Sequence, residues 1–150
     1  MRCFSHFPAV AMLCVGLVTA GSALAADTPS TLAGAKMINA EEAAKAVVDG
    51  ASLIDARIVS EYGEGHIKGA LSVPYREKSA KSVDFDPGQD QFDLTKLPAN
   101  KSAAIIVYCN GPECWKSYKA SFVAVKGGYT NIMWYRAGFP DWKSKNLPIE

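Results

Sequence analysis

The chain has 150 residues, 49% of them hydrophobic and 21% charged, which is enough for one globular domain and not for two. Its 16 basic and 15 acidic residues are spread along the sequence and leave a formal net charge of +1. This balance gives no electrostatic basis for binding nucleic acid or a membrane surface, so we expect neither kind of partner.

The first 25 residues have the pattern of a secretory signal peptide. Arg2 precedes an apolar run over residues 8–18, and the small-residue pattern Ala-Leu-Ala follows at residues 23–25. A retained membrane anchor is disfavoured, because the run is shorter than the roughly 20 residues of a spanning helix. We therefore predict cleavage near Ala25 or Ala26, an exported chain, and no membrane contact after cleavage.

Export would decide which cysteines remain in the mature chain. Cys3 and Cys14 lie within the predicted leader, so only Cys109 and Cys114 would be retained. In an oxidising compartment these two residues can close a disulfide or remain free thiols, and spacing alone leaves both states open. Two thiols with His66 as the further candidate fall short of the four ligands usual for zinc, so no metal site is predicted.

The first predicted elements follow a flexible lead. Residues 26–36 are small and polar without periodicity and are predicted to be that lead. Asn39, with Glu42 three residues later, is typical of a helix N-cap, and Gly50 is placed to end the helix. Residues 52–55 are predicted to form a buried strand.

The middle of the chain alternates short elements and then loses its pattern. Residues 57–66 fit a brief helix or turn, and residues 70–73 fit a short strand stopped by Pro74. Strands that alternate with helices predict a mainly parallel sheet covered on both faces. Residues 75–101 are interpreted as a long surface excursion, a solvated acidic connection rather than a calcium loop, because they lack the calcium-loop spacing.

The most informative pattern lies in the second half of the chain. Residues 105–108 are predicted to form a buried strand, Cys109 follows directly, and residues 115–126 have helical apolar spacing. A thiol between a strand end and a helix N-terminus meets unpaired N–H groups and the positive end of the helix dipole. We expect it to be reachable, ionised and nucleophilic. Residues 129–134 are predicted to be the last strand, followed by a final turn or helix.

Two motifs in this sequence resemble the rhodanese-like domain family. One is LIDARIVSEYGEGHIKGALSVPY at residues 53–75; the other is VYC at residues 107–109, followed after a loop by KSYKASFVAVKGGYTNIMWYRAGFPDW. The resemblance implies a single α/β domain over residues 37–150. Its central sheet would be mostly parallel and five-stranded, flanked by helices on both faces, and its activity would need no cofactor.

The resemblance gives the catalytic role to Cys109. In the family, a loop thiolate takes the outer sulfur of a donor such as thiosulfate, becomes a persulfide, and passes the sulfur to cyanide or another thiophilic acceptor. A nucleophilic thiolate with loop amides around it suits that chemistry. The resemblance places seven further residues in the active loop or at the substrate: Asn110, Gly111, Pro112, Glu113, Trp115, Lys116 and Ser117.

The loop departs from the family pattern in its length and its charge. Common single-domain members have four residues between the cysteine and an arginine that is followed by serine. Here six residues separate Cys109 from Lys116, which precedes Ser117. A lysine supplies a point charge where a guanidinium would hold an oxyanion at two points. Arg136, after the last predicted strand, is a candidate to supply the missing guanidinium.

Cys114 and Trp115 give the loop a second resemblance. A subset of exported bacterial rhodanese-like proteins carries a second cysteine before tryptophan, which implies a location in the bacterial periplasm. The spacing between the cysteines is wider here, so only the fold and the loop position carry over. Cys114 is either a resolving thiol for a persulfide or sulfenic acid on Cys109, or a structural disulfide partner.

Three polar residues of the first motif are predicted to support the fold. Asp55 and Arg57 occupy positions where they are expected to pair with each other or with backbone groups. His66 invites the role of general base for Cys109, but its place in Gly-His-Ile matches a family position that mainly supports the fold. A thiolate stabilised by amides does not require a base.

Three hypotheses for function follow. The leading one is an exported sulfurtransferase that uses Cys109 with a small-molecule sulfur donor and a thiol or cyanide acceptor. The second is a periplasmic thiol-disulfide or persulfide redox protein in which Cys109 and Cys114 cycle with a protein redox partner. The third, motivated by the missing arginine, is a non-catalytic binding module with the same fold.

Overall fold

The computed structural model describes residues 26–150. The signal peptide predicted over residues 1–25 lies outside the described residues. Within the described part, no helix is long and apolar enough to cross a membrane.

A five-stranded sheet forms the centre of the domain, and all its neighbouring strands are parallel. Its strand order is β1-β5-β4-β2-β3. The central strand β4 is buried along its whole length, as its unbroken run of apolar residues predicts. The parallel sheet inferred from the alternation of strands and helices is confirmed. The strands are β1 (Ala35–Met37), β2 (Ser52–Asp55), β3 (Leu71–Ser72), β4 (Ile105–Tyr108) and β5 (Ile132–Tyr135).

Four α-helices connect or follow the strands, and two short 3₁₀ turns lie between β3 and β4. The first helix begins as predicted: Asn39 Oδ1 accepts the Glu42 N–H at 2.8 Å, and the Glu42 carboxylate accepts the Asn39 N–H at 3.0 Å. This reciprocal pair satisfies two backbone donors that the helix start would leave free. The helices are α1 (Ala40–Val48), α2 (Val59–Glu64), α3 (Trp115–Lys126) and α4 (Gly138–Ser144).

Both faces of the sheet are covered by helices, as predicted. On one face, Ile105 and Val107 of β4 pack in a cluster with Ala120 and Ala124 of α3. Alternate residues of β4, Ile106 and Tyr108, point to the opposite face and belong to a cluster that includes residues of α1 and α4. The two-residue period of a strand thus gives β4 an apolar side chain for each layer.

The prediction that residues 26–36 form a flexible lead is wrong. Residues 35–37 form the edge strand β1, which pairs with β5, and Thr28 and Leu32 are buried. The three residues of β1 show no buried alternation, because one is half-buried and two are exposed. Their backbone pairing depends on β5, almost a hundred positions later, so local composition carries no sign of it.

The excursion over residues 75–101 is tied to α3 by a buried lysine. Lys119 is fully buried, and its ammonium group lies 2.7 Å from a Glu77 carboxylate oxygen and donates to the Ser79 hydroxyl at 2.8 Å. A carboxylate oxygen of Asp90 lies 3.7 Å from the same ammonium group. The excursion is therefore anchored through its polar residues, and its interpretation as a solvated connection is wrong at these positions.

The carboxylate of Asp90 accepts four hydrogen bonds from other residues of this segment. It accepts from the backbone N–H groups of Lys78 and Ser79, and from the hydroxyls of Ser79 and Tyr75. Burial alone would raise the pKa of Asp90, but these hydrogen bonds outweigh it and hold the pKa below its ordinary value. The charged carboxylate is thus the form that the fold stabilises.

Candidate active site

Cys109 lies directly after β4, at the carboxyl edge of the parallel sheet. Its carbonyl oxygen accepts the Phe139 N–H at 2.8 Å, which ties the start of the loop to α4. Gly138 has a φ of 69°, and a Cβ there would overlap the Cys109 carbonyl group. The close approach of α4 to the loop therefore requires glycine at position 138. Within the loop, the Cys114 N–H donates to the Gly111 carbonyl oxygen at 3.0 Å.

Cys109 and Cys114 are joined by a disulfide, with their Cα atoms 6.4 Å apart. This is one of the two states that the sequence left open. Cys109 is completely buried, whereas Cys114 is half-buried at the start of α3. The expectation of a reachable thiol at position 109 is wrong for this bridged state. Cys114 is thus the residue of the pair that is in contact with solvent.

The sulfur of Cys109 faces two hydrogen-bond donors from Ser117. The Ser117 N–H donates to it at 3.3 Å, and the Ser117 hydroxyl oxygen lies 3.0 Å away. The Trp134 indole N–H donates to that hydroxyl oxygen at 3.0 Å, which leaves the hydroxyl proton free to point at the sulfur. Once the disulfide is opened, these donors in the first turn of α3 favour a thiolate on Cys109.

The backbone N–H that donates to the Cys109 sulfur belongs to Ser117 in α3, whereas the sequence predicts amides of the loop there. The Cys114 carbonyl oxygen lies 3.1 Å from the Cys109 sulfur and can accept the proton of a neutral thiol. The Ser117 N–H, the Ser117 hydroxyl and the N-terminal end of α3 favour the thiolate, whereas the Cys114 carbonyl oxygen favours the neutral thiol.

Asn110 connects the loop to α2. Its side-chain amide donates to one carboxylate oxygen of Glu61 at 2.6 Å, and the other oxygen of Glu61 accepts the Ile58 N–H at 3.3 Å. Asn110 is predicted to lie in the active loop or at the substrate; in the structure it lies in the loop, and its amide binds Glu61. Glu113, at the far side of the loop, is exposed.

Residues 26–28 form a strap across the outer side of the loop. The Trp115 indole N–H donates to the Ala26 carbonyl oxygen at 2.9 Å. Thr28 donates twice to the Pro112 carbonyl oxygen, from its backbone N–H at 2.8 Å and from its hydroxyl at 2.7 Å. The loop is therefore held between the strap on one side and α4 on the other.

Arg136 holds the strap and does not replace the missing loop arginine. Its guanidinium donates to the Thr28 hydroxyl at 3.0 Å and to the Thr28 carbonyl oxygen at 2.6 Å. A carboxylate oxygen of Asp27 lies 3.7 Å away. The prediction that Arg136 supplies a guanidinium to the loop is therefore wrong, because its Nε and Nη2 groups donate to Thr28 in the strap.

Replacing Thr28 by valine is expected to lower the free energy of unfolding by about 1–2 kcal/mol. The change keeps the shape of the side chain but removes one hydrogen bond to Pro112 and one from Arg136, each contributing about 1 kcal/mol. Urea unfolding at equilibrium measures the difference. Thr31→Val, at an exposed position in the same segment, is the control and should leave stability unchanged. Equal stability of both variants would show that the strap does not hold the loop.

Lys116 lines a hollow of about 360 Å³ beside the loop. Arg76 lies in the same lining, so two cationic side chains face one space next to the first turn of α3. Ile58 and Val59, both largely exposed, form its apolar rim. Lys116 is predicted from the sequence but Arg76 is not, because the two residues are far apart in the chain and meet only through the fold. Glu77 lies in the same lining, so two cations accompany one carboxylate, and the net positive charge of the lining suits a small anion.

Asp55 and Arg57 form a buried ion pair below the loop. Arg57 Nε lies 3.0 Å from both carboxylate oxygens of Asp55, and Nη2 donates to Oδ2 at 2.6 Å. The Tyr108 hydroxyl also donates to Asp55, at 2.7 Å. Burial, reinforced by the Asp55 charge, raises the pKa of Tyr108 and keeps its hydroxyl protonated. The Tyr108 hydrogen bond joins β4 to Asp55 of β2, and the contacts of Asp55 and Arg57 agree with the supporting role predicted for both residues.

His66 is used by the fold. Its ring stacks on Tyr62 with centroids 3.7 Å apart, and Nδ1 lies 3.0 Å from the Tyr62 carbonyl oxygen. Its Nε2 lies 3.5 Å from a carboxylate oxygen of Glu150. These contacts agree with the predicted supporting role. Among residues 26–150, no group of three or more His, Cys, Asp or Glu side chains is placed to hold a metal ion.

Comparisons with known proteins agree with this architecture. The family profile described as "Rhodanese-like domain" matches residues 39–145. Thiosulfate sulfurtransferase 16, chloroplastic, of Arabidopsis thaliana is 28% identical over 97 residues, which cover 65% of this chain and 78% of that protein.

Two solved structures share the fold. A protein of Bacillus halodurans superimposes with a TM-score of 0.58 at 22% identity, covering 77% of each chain. A thiosulfate sulfurtransferase of Pseudomonas aeruginosa gives a TM-score of 0.55 at 22% identity, covering 77% of this chain and 20% of that one. At this identity, the likeness concerns the fold alone.

Proposed function

The chain belongs to the rhodanese-like domain family, and on this premise we propose that it is a sulfurtransferase that carries sulfur as a persulfide on Cys109. The observation that carries the proposal is the position of the Cys109 sulfur at the start of α3. There the Ser117 N–H and hydroxyl lie 3.3 and 3.0 Å away. Donors so placed stabilise the negative charge of a thiolate on this atom.

The proposed reaction begins with reduction of the disulfide. The Cys109 thiolate then attacks the outer sulfur of a thiosulfate-like donor, the sulfur–sulfur bond of the donor breaks, and sulfite leaves with the bonding electron pair. The sulfane sulfur remains on Cys109 until a thiol or cyanide removes it. The reductant of the first step is a dithiol, which leaves as a disulfide itself. Each later step transfers a sulfur atom between nucleophiles, so the transfer needs no cofactor.

The donor would bind in the hollow lined by Lys116 and Arg76. Both side chains are cationic, and thiosulfate carries two negative charges, so Coulomb attraction favours its entry. Arg76 offers the planar fork that the loop itself lacks. Its position in the lining supports an anionic donor even though a lysine stands where common family members have arginine.

Export to a bacterial periplasm, with residues 1–25 as a cleaved leader, is part of the same proposal. Its support is the apolar run over residues 8–18 followed by the small residues 23–25. A loop disulfide is typical of such an oxidising compartment.

Sulfite release on mixing with thiosulfate tests the proposed reaction. The chain, with Cys3 and Cys14 replaced by serine to remove other thiols, is reduced, freed of reductant and mixed anaerobically with thiosulfate. We expect one sulfite for each chain, and none from the Cys109→Ala variant in the same background. Sulfite from Cys109→Ala at the parental level, or no sulfite from the parent, would contradict the proposal.

The bridged cysteines favour one second candidate, a thiol-disulfide redox protein. Such a protein would reduce a disulfide substrate without any sulfur donor and would release no sulfite from thiosulfate. The same measurement therefore separates the two functions. A non-catalytic binding module would show neither reaction.

A further inference from the structure

We propose that Cys114 is a second catalytic residue, which resolves the persulfide on Cys109 and releases its sulfur as sulfide. This inference rests on the proposed sulfurtransferase function and specifies the fate of the transferred sulfur. The first acceptor of the persulfide would be a thiol of the same loop. The product would be sulfide rather than a sulfur-bearing small molecule.

The geometry of the loop brings the two sulfur atoms together. Their Cα atoms lie 6.4 Å apart and the disulfide is formed, so the sulfur of Cys114 can reach that of Cys109 without rearrangement of the backbone. Contacts outside the disulfide hold the same loop: Thr28 bonds Pro112, Phe139 bonds the Cys109 carbonyl, and Cys114 itself bonds Gly111. Because these contacts do not involve sulfur, they keep the thiols adjacent after reduction.

The proposed step is balanced in atoms and electrons. The Cys114 thiol loses its proton, and its sulfur attacks the inner sulfur of the Cys109 persulfide. The bond between the two persulfide sulfurs breaks, and the outer sulfur leaves with the electron pair and the proton as HS⁻. The two cysteine sulfurs are oxidised to the disulfide, while the sulfane sulfur is reduced to sulfide.

A dithiol reductant would return the disulfide to two thiols and complete the cycle. The difference in burial between the two cysteines decides which of them the reductant attacks. Cys109 is completely buried, so the reductant attacks the half-buried Cys114. Cys109 is then the leaving group, and the Ser117 donors that favour its thiolate also favour its departure. The second thiol of the reductant displaces Cys114 and leaves as an internal disulfide. Both cysteines are thereby returned to their reduced forms.

The experiment measures sulfite, sulfide and intact mass after one anaerobic addition of donor to the reduced chain. Cys3 and Cys14 are replaced by serine throughout, and Cys114→Ser is compared with its parent. Serine is a favourable residue at the N-cap of α3, which Cys114 occupies, so this variant should fold. Inorganic polysulfide serves as a second donor that loads thiolates without needing the proposed anion hollow.

From thiosulfate, we expect the parent to release one sulfide for each sulfite and to end lighter than the reduced chain by two hydrogens. Cys114→Ser should release sulfite but no sulfide, and should retain the mass of one added sulfur atom. After polysulfide, only the parent should close the disulfide. Because oxygen is absent, disulfide formation reports electrons passed to the sulfane sulfur, which a purely structural bridge would not produce.

The outcomes separate the two proposals. If the parent releases sulfite and keeps the added sulfur without forming sulfide, this inference is overturned while the sulfurtransferase function stands. If Cys114→Ser releases as much sulfide as the parent, Cys114 is not the resolving thiol. If neither donor loads the parent, the proposed function fails and the inference fails with it.

Discussion

Replacement of Asp55 by asparagine is expected to lower the free energy of unfolding by about 3–5 kcal/mol. The change removes a charge but almost no volume, so the loss comes from the partner left behind. Arg57 is buried and donates to both carboxylate oxygens of Asp55. An amide provides one acceptor oxygen and no negative charge, which leaves the guanidinium without its counter-ion. Chemical denaturation at neutral pH, monitored by tryptophan fluorescence, measures the change.

Asp49→Asn is the matched control. Asp49 also faces a basic side chain, that of Lys45, but both members of this pair are exposed to solvent. Solvent screens such a pair, so its loss should leave the unfolding midpoint unchanged. If Asp55→Asn were as stable as this control, the buried pair of Asp55 and Arg57 would not contribute to the stability of the fold.

The part of the fold that the sequence predicts well is the part encoded by neighbouring residues. The buried strand over residues 105–108 is an unbroken apolar run, and α3 has its apolar positions at helical spacing. Asn39 and Glu42 lie three residues apart and form the predicted cap. In each case the interacting groups are close in the chain, so a pattern of residue types is enough to identify them.

The features that the sequence analysis missed depend on contacts between distant segments. β1 exists because β5 pairs with it, and the polar excursion is fixed because Lys119 of α3 reaches Glu77 and Ser79. A lysine within a helix is ordinarily predicted to be exposed, and only the tertiary fold shows that this one is buried. Composition therefore described these segments as flexible or solvated.

In the candidate site, too, the sequence predicts which residues lie in the loop but not which partners their side chains bind. Residue type and loop position identified Cys109, Cys114 and Ser117 as a group. The same reasoning placed Asn110 in the loop or at the substrate and made Arg136 a candidate for the missing guanidinium, whereas their side chains bind Glu61 and Thr28. An amide or guanidinium has the same donors in either role, so only the position of its partner distinguishes substrate binding from support.

Ser117→Ala is expected to slow sulfite release from thiosulfate about tenfold at neutral pH, because it removes a hydroxyl that stabilises the reactive thiolate. The midpoint pH for alkylation of reduced Cys109 by iodoacetamide should rise, since loss of a donor disfavours the charged form. At pH values above both midpoints the two proteins should react at similar rates. The dependence of alkylation rate on pH, measured in a Cys114→Ser background, tests the shift directly.

Trp134→Phe separates this effect from a general loosening of the core. Ser117→Ala also leaves the buried Trp134 indole N–H without its acceptor, which costs about 1–3 kcal/mol of stability. Trp134→Phe removes the same hydrogen bond but keeps the Ser117 hydroxyl beside the Cys109 sulfur. We expect it to lower stability while the alkylation midpoint stays near that of the parent. An equal rise of the midpoint in both variants would show that packing, rather than the hydroxyl, favours the thiolate at position 109.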